Sequence, residues 1–161
     1  MKTILSLLAG LLLSACAAYP PLPDELPPLA LPMQLHVQRE QADDRQDWLL
    51  VIQREESTLR WSLLDLLGIP RARQLLDRQR WQADGLLPPN PAARELFAAV
   101  LFALTPEADL PRLYPEALGQ GNQRSLGTRW QVIYRQTDDF SLNLEQGLRY
   151  VVTPLPSENT P

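Results

Sequence analysis

One cysteine, one histidine and one lysine in 161 residues leave little material for several kinds of chemistry. A single Cys, Cys16, excludes an internal disulfide framework and a Cys-rich zinc site, and a single His, His36, leaves no His-rich metal site. No metal or cofactor is therefore expected. Fifteen basic residues face 19 acidic ones, with a sequence pI near 5.0. Such a chain lacks the basic face that nucleic-acid binders use to neutralise phosphates, so no nucleic acid is expected as a partner. Long apolar runs are missing too. Ile4 to Leu13 and Leu96 to Leu104 both fall short of the roughly 20 residues that a membrane-spanning helix needs.

Catalytic arrangements are equally thin. His36 lies between Leu35 and Val37 on an expected strand and reads as a satisfied surface or core residue rather than a general base. The acidic pairs Asp43-Asp44, Glu55-Glu56 and Asp138-Asp139 fall where hairpin turns are expected, so solvated turns account for them better than a paired-carboxylate site. Gly119-Gln120-Gly121 lacks the Lys and Ser/Thr of a phosphate loop and reads as a flexible connection. No enzyme is expected.

What is present begins at the N-terminus. Lys2, the short apolar stretch Ile4 to Leu13 and then Ser14-Ala15-Cys16 have the layout of an export signal. Leu13-Ser14-Ala15-Cys16 also resembles a bacterial lipobox, which makes residues 1–15 a lipoprotein signal peptide and Cys16 the lipidated first residue of the mature chain. An ordinary signal peptide cut near Ala18 is the alternative. Loss of Lys2 would leave 14 Arg and no lysine against the 19 acidic residues. Ala17 after the Cys, where Asp favours inner-membrane retention in Gram-negative lipoproteins, points to the outer membrane, facing the periplasm. Acylation would consume the only thiol.

Residues 16–32 then read as the lipidated Cys and a Pro-rich tether, six of the prolines falling between Tyr19 and Pro32. In the extended polyproline conformation such a tether would reach up to roughly 40 Å. Packing on the domain through Leu26, Leu29 and Leu31 is the competing reading. Residues 154–161 read as a flexible tail.

Residues 33–153 suffice for one core. Period-two alternation dominates: Leu59, Trp61 and Leu63; Trp130, Val132 and Tyr134; Phe140, Leu142 and Leu144; and Leu148, Tyr150 and Val152 after a Gln146-Gly147 turn. Trp48 to Gln53 is apolar on both faces, as in a central strand, and 34–39, 73–78 and 79–83 are weaker strands. One segment breaks the pattern. Asn90 as N-cap and Pro91 as the first helical residue open an apolar helix running to Leu104, stopped by Thr105-Pro106. It reads either as a core helix on the sheet or as a lid whose one face lines a lipid cavity. A second short helix is expected within 110–118. The fold class is α+β: a strongly curved antiparallel sheet, half-open, with one apolar covering helix.

Two groups are candidate binding residues. Trp48, Trp61, Leu63, Trp81, Phe97, Leu101, Trp130, Tyr134 and Tyr150 either fill the core or line an apolar cavity under the helix, with Phe102 beside them. Leu66, Leu67 and Ile69 sit with Gly68 and Pro70 in a turn between two strands. Turns are usually polar, so this apolar tip either folds back into the core or protrudes toward a membrane or acylated cargo.

The lipobox, the tether, the antiparallel strands, the Leu-Gly turn Leu63-Leu64-Asp65-Leu66-Leu67-Gly68 and the interrupting apolar helix together resemble the LolA/LolB superfamily. In LolB, the outer-membrane lipoprotein receptor, a protruding leucine approaches the membrane, and Leu67 matches it. The chain is also similar to a family of small bacterial lipoproteins of unknown function found in aryl polyene gene clusters beside a LolA-like carrier and a lipid exporter. The resemblance implies a half-open LolB-like barrel, an acyl or aryl polyene lipid ligand or lipoprotein cargo, and a LolA-like periplasmic carrier as partner. It departs from LolB in its shorter mature chain and in lacking the Asn-Pro before Leu-Gly. A structural or assembly lipoprotein with a filled core, binding an envelope protein, is the alternative.

Overall fold

The computed structural model describes residues 19–156. The expected signal peptide, Cys16 and the last five residues of the tail lie outside the described residues. Ten strands form one antiparallel sheet: β1 (Met33–Gln41), β2 (Asp44–Glu55), β3 (Thr58–Asp65), β4 (Pro70–Asp77), β5 (Arg80–Ala83), β6 (Ala117–Gln120), β7 (Gln123–Leu126), β8 (Trp130–Gln136), β9 (Asp139–Leu144) and β10 (Arg149–Pro154). Their order is β5-β4-β3-β2-β1-β10-β9-β8-β7-β6. The chain therefore meanders outward from β1 to one edge, crosses over, and meanders back until β10 pairs with β1. The sheet is not closed; β5 and β6 are its edges. With two short helices it makes an α+β fold.

Every neighbouring pair is antiparallel, so the connections fall alternately at two ends. The β1–β2, β3–β4, β7–β8 and β9–β10 connections lie at one end, called upper here. The other four hairpin turns, the start of β1 and the end of β10 lie at the lower end.

The crossover contains α1 (Pro91–Leu104), a 3-10 turn (Glu107–Asp109) and α2 (Leu110–Leu113). Asn90 caps α1 as its sequence suggests, its side chain accepting from the Ala93 N–H at 3.0 Å. One face of the sheet supplies Leu35, Val37, Leu50, Ile52, Leu59, Trp61, Val132, Phe140, Leu142 and Val152, all at most 1 % exposed. Period-two alternation places them together, and α1 packs on them. Leu96 to Leu104 is buried all along.

Three expectations are corrected. The tether is laid on the domain: Pro23 and Pro27 are buried, and Leu22, Leu26, Leu29 and Leu31 pack against the core. Arg112 of α2 donates to Glu25 at 2.5 Å, and Gln79 in the β4–β5 turn donates to Asp24. Leucines interleaved with prolines make an extended apolar strip, and burying it against the core outweighs solvating it. Residues 117–121, expected as a helix end and a flexible connection, belong to the hairpin β6–β7, with Gly121 at φ +61° in its turn. The tail begins later than expected, because Pro154 still pairs with Leu35 and the Leu155 N–H donates to Gln34.

Candidate functional site

The β3–β4 turn protrudes at the upper end. Leu66 is 73 %, Leu67 85 % and Ile69 53 % exposed, so these side chains do not fold back. Asp65 builds the turn. Its Oδ1 accepts from the N–H groups of Leu67 (3.0 Å) and Ile69 (2.9 Å), while its backbone exchanges bonds with Ile69 and Gly68. Gly68 has φ +78°, a conformation that costs a residue with a Cβ much more. The backbone polar groups are thus satisfied by Asp65, and the apolar side chains point outward.

Beneath the turn lies a cleft of about 290 Å³, lined by Leu63, Pro70 and Arg71 from its flanking strands, Arg39, Trp48 and Tyr150 from the centre of the sheet, and Asn90, Ala92, Ala93 and Leu96 from α1. Leu63 pairs with Ala72 but Leu64 with Pro70, which leaves Arg71 as the extra residue of a bulge. Bulges re-aim side chains, and this one brings Arg71 to the cleft. Arg71 is exposed and makes no hydrogen bond or ion pair among the described residues. Arg39 donates to Asp44 at 2.8 Å and to Gln41. The first turn of α1 holds no acidic residue, so its positive end adds to the Arg71 guanidinium, while Arg39 is ion-paired with Asp44. On a chain of net charge −4 this is a positive spot over an apolar floor. The Trp48 and Tyr150 rings lie 6.3 Å apart, and burial pushes the Tyr150 hydroxyl's pKa upward.

The other expected cavity residues separate. Trp61, Phe97, Leu101 and Trp130 are fully buried and border none of the clefts described here. Trp61, Trp81 and Phe97 form a triangle of rings 5.5–5.8 Å apart, and Phe102 packs on Trp130 at 5.6 Å. Glu95 of α1 accepts from the Trp130 Nε1–H at 2.7 Å and pairs with Arg129 at 2.6 Å, which ties the helix to β8. These rings fill the space that a chamber under the helix would need. Trp81 borders a cleft of about 580 Å³ beside Tyr19, Leu22 and Arg94, and Tyr134 borders one of about 480 Å³ at the lower end.

His36 lies on the outer face, its Nε2 2.8 Å from Asp47 Oδ1. A hydrogen bond from Gln38, together with His36, holds the Asp47 carboxyl's pKa below its usual value. The pairing supports the reading of a satisfied surface histidine. The residues that sequence reasoning missed are Asp65, Arg39 and Arg71. An Asp directly before Leu-Leu-Gly is a turn-forming signal that was available in the sequence; the bulge that re-aims Arg71 has none.

No protein-family model matches the chain, and no curated protein matches it.

Proposed function

We propose that the protein is a non-catalytic lipoprotein, anchored through Cys16 to the outer membrane and facing the periplasm, that receives acyl or aryl polyene lipid, or lipoprotein cargo, from a LolA-like carrier. The observation that carries this reading is the apolar turn held out by Asp65 directly above a cleft with an apolar floor and a positive rim. Acyl chains seek such a turn, and an anionic headgroup finds Arg71 and the end of α1 below it. At about 290 Å³ the cleft stands at the low end of ligand pockets, so it suits a headgroup or a chain end rather than a whole lipid. In this reading the unclosed sheet is a half-open barrel of the LolB kind, and cargo is taken at its upper rim. Native mass spectrometry of the soluble chain begun at Tyr19, followed by transfer of a fluorescent acyl lipid to vesicles, tests it. Bound lipid and transfer that Leu67→Glu and Arg71→Glu both impair support the reading; transfer indifferent to both changes refutes it.

The packed interior favours a second reading. With Trp61, Phe97, Leu101 and Trp130 fully buried, the domain suits an assembly lipoprotein whose surface binds an envelope protein. A lipid-free chain whose thermal midpoint ignores added lipid would favour it.

A further inference from the structure

The lower end of the molecule holds a cleft that the lipid reading does not use. It measures about 480 Å³, inside the roughly 300–1,000 Å³ of small-molecule pockets. Three parts of the chain meet there: the C-terminal end of α1 with the 3-10 turn after it, the β6–β7 turn, and the end of β8 with its turn into β9. None of its lining comes from the strap formed by residues 19–32 or from the leucine turn.

The floor of this cleft is apolar and its polar atoms are already bonded. Ala103 and Leu110 are buried, while Pro106 and Tyr134 are half-buried. The Tyr134 hydroxyl donates to the Ala103 oxygen at 2.7 Å, and the Arg124 guanidinium is committed to the Phe102 and Thr105 oxygens. The β6–β7 turn is tied to β8, since the Tyr134 N–H donates to the Asn122 main-chain oxygen at 2.9 Å and Asn122 Nδ2 donates back to the Tyr134 oxygen at 3.0 Å. The rim differs. Gln120, Gln123, Gln136 and Thr137 line the cleft and are exposed, and their side chains make no hydrogen bond among the described residues. Gly119 lies between them with nothing in front of it: a Cβ there would meet no atom nearer than 4.0 Å. Besides Arg124, the one charged residue on the lining is Glu107, which is exposed.

We infer that this cleft binds a neutral saccharide. Sugar hydroxyls both donate and accept, as the rim amides and the Thr137 hydroxyl do, and the C–H face of a sugar ring suits the apolar floor. A phosphate or an acidic sugar would find Arg124 committed and would meet Glu107 instead. An acyl chain would take water from amides that it cannot bond, which costs free energy. The β6–β7 turn is held in place by Asn122, so the rim is set before the ligand arrives. The inference is independent of the lipid reading, whose cleft lies at the opposite end.

The experiment titrates the full chain, isotope-labelled and held in micelles of a detergent without a sugar headgroup, with maltotriose and separately with triacetylchitotriose. At least one of the two is expected to move the side-chain amide signals of Gln120, Gln123 and Gln136, saturating in the millimolar range, and to leave those of Gln38 and Gln53 in place. Gln136→Leu, similar in volume and unable to bond, should weaken that binding by about three- to tenfold, the worth of one neutral hydrogen bond, while Gln53→Leu leaves it unchanged. Rim signals that neither sugar moves at tens of millimolar overturn the inference. So does equal affinity in Gln136→Leu and the unaltered chain. A neutral peptide, acetyl-trialanine amide, that moves the rim signals where neither sugar does would make this a peptide site and overturn it too.

Discussion

Arg124 of β7 reaches across to the C-terminus of α1 and donates to the main-chain oxygen of Phe102 at 2.9 Å. The same nitrogen meets the Thr105 oxygen at 2.8 Å, and the guanidinium lies over the rings of Phe102 and Tyr134. The last turn of α1 contains no basic residue and is buried, so its final carbonyls would otherwise face apolar side chains. The sheet supplies the charge that the helix lacks. Tyr134 adds a bond of 2.7 Å to the Ala103 oxygen.

Arg124→Met keeps most of the packing volume and removes these bonds. Hydrogen bonds from a charged donor contribute about 1.5–3 kcal/mol, and orphaned buried carbonyls add to the loss. The variant should be less stable by about 2–4 kcal/mol in urea unfolding, with Arg124→Lys in between. A loss below about 0.5 kcal/mol, typical of a neutral surface change, would mean that the helix end is satisfied otherwise.

Asp65 gives a second test, because it acts on the turn without touching its leucines. Asp65→Ala removes the acceptor for the Leu67 and Ile69 N–H groups. The turn is exposed, so global stability should fall by only about 1 kcal/mol. Amide exchange at Leu67 and Ile69 should rise, however, and lipid transfer should fall toward the Leu67→Glu level. Transfer equal to the unaltered chain would show that the turn works without being held in shape.

Alternation carried the sheet in the sequence. Trp130, Val132 and Tyr134, or Phe140, Leu142 and Leu144, announce their strands because one face is buried and the other is wet. The helix was legible from Asn90-Pro91 and from nine apolar residues in a row. β6 and β7 were not, because Gly119 to Gln123 is polar and mostly exposed and its pairing depends on β8. The strap was misread because proline speaks for an extended backbone but not for what lies beneath it. Its leucines are decided by a core built from residues distant in sequence. For the site, the apolar tip was visible, while its direction depended on one Asp and its positive rim on a one-residue register shift.

Alkaline pH probes the lower end of the helix. Burial pushes the Tyr134 pKa up to about 12, partly offset by the nearby Arg124 charge. Burial raises Tyr114 and Tyr150 as well. The fold thus favours the neutral phenols. Their contribution is complete below the unfolded value near 10 and is lost as pH rises from there through about 12. Tyr134→Phe should cost about 1 kcal/mol at pH 8, the worth of one hydrogen bond, and should lose less stability than the unaltered chain between pH 8 and 11. Equal losses in the two proteins would place the alkaline sensitivity elsewhere.

Whether the strap belongs to the fold is decided by which of its contacts carry the energy. The Arg112–Glu25 pair has side chains 54 % and 72 % exposed, and such pairs contribute about 0–1 kcal/mol. The four leucines and two buried prolines are of another order, since full burial of one leucine is worth about 1.5–3 kcal/mol and these are buried in part. Arg112→Ala should therefore leave the urea midpoint almost unchanged. Leu26→Asp, or a chain begun at Met33, should lower stability by about 3–5 kcal/mol and expose enough of the apolar core for the protein to self-associate in sedimentation. A chain begun at Tyr19 should match the full chain. If the chain from Met33 were as stable and as monomeric as the one from Tyr19, residues 19–32 would be a tether after all.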